Sequence, residues 1–370
     1  MRWMIAGGGT GGHVYPGIVV AQALKKLAPE VEPIFVGTAQ GLESRIIPEQ
    51  GFRLLTLEAG KWVGRRWSDR VKTLVQLPKA YQQVKKWIRE LDIQFVLGVG
   101  GYASVSPLLA AYRLRIPSGL LEVNSRPGAA NKFLARFVDR VFLGLEGGRP
   151  YFPDAKVRMS GIPVRQEFFQ IPSCTTDSKP FSILVFGGSQ GARALNRVVI
   201  DSLSELKDLK EDLFWIHQTG LRDLHWVQEA YARHGFQSEV AAFFDPIVKY
   251  YERAHLVISR SGASTLGELL ASGRPSLLIP YPHSAGGHQR FNALALQRYG
   301  ASEVISSDQL TGRLLAHKIS RYFQSRSKLQ YMAAQARELA RPQAAERIVE
   351  EGFKLIAERK RKGAPKKEVA

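Results

Sequence analysis

The segment Gly7-Gly8-Gly9-Thr10-Gly11-Gly12-His13 follows a short apolar run and precedes a helical pattern. Glycines let backbone amides come close to an anion, and a helix N-terminus adds partial positive charge. Gly7, Gly9 and Gly12 fit the G-x-G-x-x-G spacing, which alone would suggest a dinucleotide. That reading also wants an acid at the end of the second strand to hold the ribose. The chain reads Phe35-Val36-Gly37-Thr38 there, with no acid. A diphosphate is the natural remaining guest, with Thr10, Gly11 and Gly12 offering amides. His13 lies just past the glycines, and the near-neutral titration of imidazole suits a general base. The alternative is a histidine buried for structural reasons.

Three further clusters have the same mechanics. Gly187-Gly188-Ser189-Gln190-Gly191 adds the Ser189 hydroxyl as a donor, although a tight turn would also need these glycines. Arg260-Ser261-Gly262-Ala263-Ser264-Thr265-Leu266-Gly267-Glu268 follows a strand and opens a helix. The Glu268 carboxylate can accept two hydrogen bonds from a ribose diol, and Thr265 and Glu268 can form a capping box; both can hold. His283 and His288 lack nearby carboxylate or cysteine partners, so no metal site is expected. There is no Asp-x-Asp pair, so helix N-termini would carry the charge of a leaving diphosphate, and no obligatory cofactor is expected.

Parallel sheets are what would place such loops together. Short β-rich runs at 4–6, 34–36, 95–97, 118–121 and 141–143 alternate with helical patterns at 16–27, 78–90 and 105–114. The pattern restarts with strands at 182–186, 213–218, 256–259 and 276–280 and a helix from about 192. Residues 166–180, rich in Pro, Ser and Thr, read as linker and loop. Residues 329–356 are largely helical, broken near Pro342. Two glycine-loop openings imply an α/β chain of two doubly wound Rossmann-like domains facing a cleft, with ligands at the carboxyl ends of the strands. The expected division is 1–160, with helices from about 340–357 packing back on it, then 161–339, then a disordered basic tail at 358–370.

At 370 residues, with 45% hydrophobic and 23% charged residues, the chain has the length of two globular domains. Its apolar runs are too short to span a bilayer, and the glycine loop starts too early for a signal peptide. The lone Cys174 fits a reducing compartment. Fifty-two basic residues against 33 acidic ones give a formal charge of +19, which favours an anionic partner. No zinc-finger, RNA-recognition or repeat pattern supports nucleic acid. Lys61-Trp62-Val63-Gly64-Arg65-Arg66-Trp67 alternates cations and aromatics, and Val71 and Val75 continue it at helical spacing. This suits an anionic membrane surface; packing of the tryptophans into a core is the alternative.

Gly8-Gly9-Thr10-Gly11-Gly12-His13, Gly100-Gly101-Tyr102, Gly161-Ile162-Pro163-Val164-Arg165, Gly187-Gly188-Ser189-Gln190-Gly191-Ala192 and Arg260-Ser261-Gly262-Ala263 occur in one order. Together they resemble the MurG family, bacterial transferases that move N-acetylglucosamine from UDP-N-acetylglucosamine to lipid I, giving lipid II for peptidoglycan. The resemblance, over about residues 4–300, implies a GT-B fold, an inverting mechanism and a peripheral place on the cytoplasmic face of the membrane. It also implies a possible cell-wall synthesis complex. Glu268 would bind the ribose, while Arg165 and the Phe244 backbone would contact the uracil. Ser189, Ala263, Ser264 and Thr265 would lie near the diphosphate, and Gln289 and Asn124 would contact the sugar. His13, Tyr102, Ser104 and Glu122 would lie on the acceptor side. The family usually reads His-Glu-Gln-Asn where this chain has Leu121-Glu122-Val123-Asn124. Many members read Asp-Asn-His-Gln where it has Gly286-Gly287-His288-Gln289. Another lipid acceptor, or a silent nucleotide-sugar-binding scaffold, are the alternatives these departures raise.

Overall fold

The computed structural model describes residues 1–57, 67–173, 179–188 and 191–363. Trp62, Arg65, Arg66, Cys174 and Ser189 lie outside the described residues, and nothing is said of the side chains of 67–76, including Trp67, Val71 and Val75. The chain divides into two compact units, Met1–Val164 with Gln343–Ala370, and Arg165–Pro342.

The first unit holds β1 (Arg2–Gly7), α1 (Gly11–Leu27), β2 (Glu32–Thr38), α2 (Glu43–Glu49), β3 (Arg53–Leu57) and α3 (Trp67–Glu90). It continues through β4 (Ile93–Gly100), α4 (Val105–Leu114), β5 (Ser118–Glu122), α5 (Ala129–Leu134), β6 (Arg140–Leu143) and β7 (Val157–Met159). Its strands form one seven-stranded sheet in the order β3-β2-β1-β4-β5-β6-β7, parallel throughout. Trp3, Met4, Ile5 and Ala6 are all buried, as a strand covered by helices on both faces requires.

The second unit repeats the plan with β8 (Phe181–Phe186), α6 (Arg193–Ser202), β9 (Leu213–Gln218), α7 (Leu224–His234), β10 (Gln237–Ala241), α8 (Val248–Arg253) and β11 (Leu256–Ser259). It ends with α9 (Ala263–Ser272), β12 (Ser276–Leu278), α10 (His288–Arg298), β13 (Glu303–Val304), α11 (Gly312–Gln324) and α12 (Arg326–Leu339). Its sheet order is β10-β9-β8-β11-β12-β13, again parallel. Both units are therefore doubly wound, with order reversing between β1 and β4 and between β8 and β11. Loops at the carboxyl ends of those strands are where such sheets bind ligands.

Several expected boundaries change. α1 begins at Gly11 and α3 at Trp67, so Pro16 and Pro78 lie inside their helices instead of starting them. Residues 166–170 are not free linker: they form a 3₁₀ turn whose Phe168 is buried edge-on to Tyr251, 5.2 Å between centroids. The last helix, α13 (Ala344–Gly363), corrects the expectation of disorder from residue 358. Arg359 bonds Asp139 at 2.9 Å, and Lys360, Arg361 and Lys362 sit in the last turn, where the helix dipole favours cations. Residues 364–370 lie outside the described residues. α13 belongs to the first unit. Trp3 packs against Phe95 and Phe353 at 4.5 and 5.1 Å, and the absent side chain of Gly352 makes room for its ring. Arg140 and Arg158 both reach Glu351, at 2.8 and 3.5 Å.

Candidate functional site

At the reversal point of the first unit, His13 opens α1 as its third residue. Its Nδ1 lies 3.3 Å from the Gly8 carbonyl oxygen and 3.5 Å from Thr10 Oγ1. A carbonyl can only accept, so Nδ1 is the donor in that contact, and in a neutral imidazole the lone pair then lies on Nε2. The ring passes over the backbone that follows β4. A Cβ at Gly100 would lie 2.8 Å from His13 Cδ2, and one at Gly101 would lie 2.6 Å from the Gly8 oxygen. With φ of 104° and 78°, both positions favour glycine on conformational grounds as well. Tyr102 follows directly, half-buried, and burial raises its phenol above the usual tyrosine range.

Ser104, expected on the acceptor side, is bonded to backbone. Fully buried, it accepts from the Gly100 amide at 3.1 Å, and its hydroxyl lies 2.8 Å from the Ala6 oxygen and 2.9 Å from the Gly100 oxygen. It ties β1 to the glycine turn after β4. Glu122 is likewise buried at the end of β5. Oε1 accepts from the Asn124 amide (2.8 Å) and side chain (2.9 Å), and Oε2 accepts from Asn131 (2.8 Å) and the Gly128 amide (3.3 Å). These bonds engage both oxygens, so Glu122, expected on the acceptor side, shapes the loop that carries Asn124. Leu121 and Val123, the expected departures from the family pattern, are buried. The departure is a change of packing.

Glu43 is a site residue that the sequence reading missed. Buried at the start of α2, it accepts from the Gly9 amide at 2.9 Å, the Thr38 amide at 2.9 Å and Thr38 Oγ1 at 2.8 Å. Any Cβ at Gly8 or Gly41 would strike its carboxylate, and one at Gly37 its Cγ. The first glycine loop thus already holds an internal carboxylate at Gly9. Glycines at 37 and 41 flanking a carboxylate at 43 were the available signal.

In the second unit the loops after β8, β10 and β11 carry the remaining candidates. Ala263 opens α9 with Gly262 at the N-cap and no side-chain cap, so the expected Thr265–Glu268 capping box does not form. Thr265 lies inside the first turn, and Glu268 turns to Tyr251, whose hydroxyl donates to Oε2 at 3.2 Å. Arg165 Nη2 stands 3.9 Å from Glu268 Oε1, with its Nη1 3.1 Å from Glu167. Burial raises the Glu268 carboxyl to about 7; Arg165 and Tyr251 pull it down and Glu167 adds to the rise. One fifth of its side chain remains exposed.

Gln289, near the start of α10, accepts from the Tyr281 amide at 2.9 Å through Oε1, which orients its NH₂ as the donor end. Ser261 Oγ donates to the Gln289 carbonyl at 2.8 Å and Asn292 donates to the Ser261 carbonyl at 3.2 Å, so α10 is tied to the loop after β11. Arg260 is buried and donates to the Ile279 and Pro280 carbonyls. Phe244 is buried, and its amide donates to Gln218 Oε1 at 2.9 Å. His288 Nδ1 contacts the Ala285 carbonyl at 2.6 Å. Among the described residues no group of three or more His, Cys, Asp or Glu side chains is placed to hold a metal ion.

The glycosyltransferase family 28 N-terminal domain matches residues 3–143, and the C-terminal domain of the same family matches residues 182–348. A UDP-N-acetylglucosamine–N-acetylmuramyl-(pentapeptide) pyrophosphoryl-undecaprenol N-acetylglucosamine transferase of Geobacter sulfurreducens is 40% identical over 355 residues, covering 95% of this chain and 98% of its own. One of the same name from Myxococcus xanthus is 39% identical over 95% of this chain and 92% of its own. The crystal structure of Acinetobacter baumannii MurG superposes with a TM-score of 0.80 at 27% identity, covering 95% of this chain and 99% of that one. A Neisseria meningitidis UDP-GlcNAc 2-epimerase shares the fold, with a TM-score of 0.69 at 15% identity over 96% of this chain and all of that one.

Proposed function

As this chain belongs to the MurG family within glycosyltransferase family 28, we propose that it transfers N-acetylglucosamine from UDP-N-acetylglucosamine to lipid I, forming lipid II for peptidoglycan. It is a UDP-sugar-dependent hexosyltransferase. The observation that carries the reading is identity of about 40% to transferases of that name along 95% of the chain. The burial of Leu121 and Val123 supports it against a silent scaffold, because the altered positions are core and the polar Glu122–Asn124 pair persists.

The first unit supplies the base. His13, its Nδ1 proton held by the Gly8 carbonyl, takes the acceptor hydroxyl proton at Nε2. The freed oxygen attacks the anomeric carbon as the bond to the diphosphate breaks, its electron pair leaving with UDP and the centre inverting. Tyr102 and Asn124 line the acceptor and sugar. The second unit holds the donor: Glu268 on the ribose, Arg165 and the Phe244 backbone on the base, and Gln289 on the sugar. Ser189 and the amides of Ala263, Ser264 and Thr265 meet the diphosphate. The uncapped N-terminus of α9 stabilises the leaving charge, with no obligatory cofactor. Thr10, Gly11 and Gly12 contribute amides from the first loop.

The acceptor is lipid-borne, and the enzyme works as a peripheral protein on the cytoplasmic face of an anionic membrane. No helix among the described residues is long and apolar enough to cross one. Tyr112 and Phe133 are 56% and 46% exposed, and both pack on Phe137 at 5.2 Å. Arg113, Arg115, Lys132 and Arg136, close to them in sequence, are exposed. Exposed aromatic rings and cations suit a headgroup boundary. Other cell-wall synthesis enzymes are the protein partners this placement favours.

The decisive assay is transfer of radiolabelled sugar from UDP-N-acetylglucosamine to purified lipid I. Labelled lipid II is the expected product. Transfer to a glycerolipid in its place, or donor binding without turnover, would overturn the reading.

A further inference from the structure

Gln218 closes β9 and is 2% exposed. Its carboxamide is engaged at both ends: Nε2 donates to the Gly188 carbonyl at 3.3 Å, and Oε1 accepts from the Phe244 amide at 2.9 Å. Gly188 belongs to the glycine loop after β8, and Phe244 to the loop after β10. One side chain on the strand between them therefore spans both. Its mount is firm, since β9 is paired on each side, Phe186 with Gln218 and Ala241 with Gln218. Beside it, the Thr219 carbonyl accepts from Asn196 Nδ2 at 2.9 Å. That same carbonyl abuts Gly191, where any Cβ would collide with it. The glycine loop thus leans on Thr219 at its far end and is bonded to Gln218 at its near end.

We propose that Gln218 is a positioning residue for the nucleotide, a strut that fixes the spacing between the diphosphate loop and the base-contacting backbone. The inference rests on the donor roles proposed above for those two loops. Either loop moving alone would strand one end of a buried carboxamide, so the pair is held in register before ligand arrives. A nucleotide touching both loops gains because that ordering precedes binding.

The test is Gln218→Met, which keeps the length and removes both bonds, with Gln218→Glu beside it. The glutamate can still accept from Phe244 but sets an oxygen against the Gly188 carbonyl. Calorimetry with UDP-N-acetylglucosamine, UDP and uridine, transfer kinetics and thermal melting are compared with the parent. The expected result for Gln218→Met is a donor KM raised about tenfold or more with kcat within about threefold, because only ground-state and transition-state binding in common is lost. The UDP-to-uridine affinity ratio should fall by about the same factor, as each loop then meets its half of the ligand independently. Gln218→Glu should lie between parent and Gln218→Met. A parent-like KM and affinity ratio in either folded variant would overturn the strut, as would a lower melting temperature with no KM change. A parent that binds no UDP-sugar would instead overturn the donor reading itself. Should Gln218→Met fail to fold, the affinity ratio of Gln218→Glu decides.

Discussion

Glu268 has its carboxyl pushed up to about 7 by burial, yet its proposed work on a ribose diol needs the carboxylate. Two opposite pH dependences follow. A raised carboxyl stabilises the fold fully below its ordinary value of 4.5, and the contribution is lost as pH rises through about 7. The ligand-free protein should therefore lose stability between pH 5 and 8 on account of this group. Donor affinity should move the other way, tightening as the carboxylate forms. UDP-N-acetylglucosamine suits the measurement because its diphosphate has no terminal group titrating in that range. Glu268→Gln should flatten both slopes and, at pH 8, raise the donor Kd about ten- to hundredfold, the worth of charge-assisted bonds of about 1.5–3 kcal/mol. Calorimetry giving parent-like donor affinity in that variant would remove Glu268 from the ribose. For His13, replacement by alanine should lower kcat by roughly 10²–10⁴ with donor affinity nearly unchanged. Near-normal turnover in a stable His13→Ala protein would strike it from the mechanism. Both residues were legible in the sequence because each lies beside a glycine cluster in its own segment. Glu43 and Gln218 were not, since their partners become neighbours only after β1 and β2, or β8 and β10, take their places in a sheet.

Strand burial decided which elements could be read in advance. β1, β4, β8 and β11 lie inside their sheets and are written as mostly apolar runs. β10, Gln-Ser-Glu-Val-Ala, is a sheet edge, half-wet and polar, and β3 and β13 occupy two of the other edges. Edge strands avoid long apolar faces, so hydropathy does not mark them. α13 shows how a small residue far along the chain sets tertiary structure. Gly352 faces the Trp3 ring so closely that any Cβ forces either the helix or β1 to shift. Overpacking of this kind costs about 1–3 kcal/mol, so Gly352→Ala should lower stability by that amount and Gly352→Leu by more. Denaturant melts of the two variants check this, and a parent-like midpoint for Gly352→Leu would mean that α13 does not seat on Trp3. Transfer by the folded fraction should be unchanged, because Trp3 lies at the start of β1, away from the glycine loop.

Across the whole molecule the charge of +19 is the property no single site explains; it favours an anionic partner, for which we propose the membrane. The sequence pointed to residues 61–75, of which 61–66 lie outside the described residues, while the folded first unit brings a second candidate into view. Tyr112 closes one helix pattern, and Phe133 and Phe137 come from another stretch. Only the fold joins their rings. Each arginine near an anionic leaflet contributes about 1 kcal/mol, and the rings add apolar area at the headgroup level. Reversing Arg113, Arg115 and Arg136 to glutamate removes about 3 kcal/mol and adds repulsion, so affinity for phosphatidylglycerol vesicles should fall about a hundredfold or more at low salt. The loss should shrink as ionic strength rises, because screening weakens the parent's own attraction. Transfer to vesicle-borne lipid I should slow in parallel. Transfer to a short-chain, water-soluble acceptor should persist at the parent rate, since these arginines have no part in the proposed chemistry. Vesicle sedimentation with equal binding for parent and variant would reject this face and leave the cationic stretch at 61–72 as the one to reverse next.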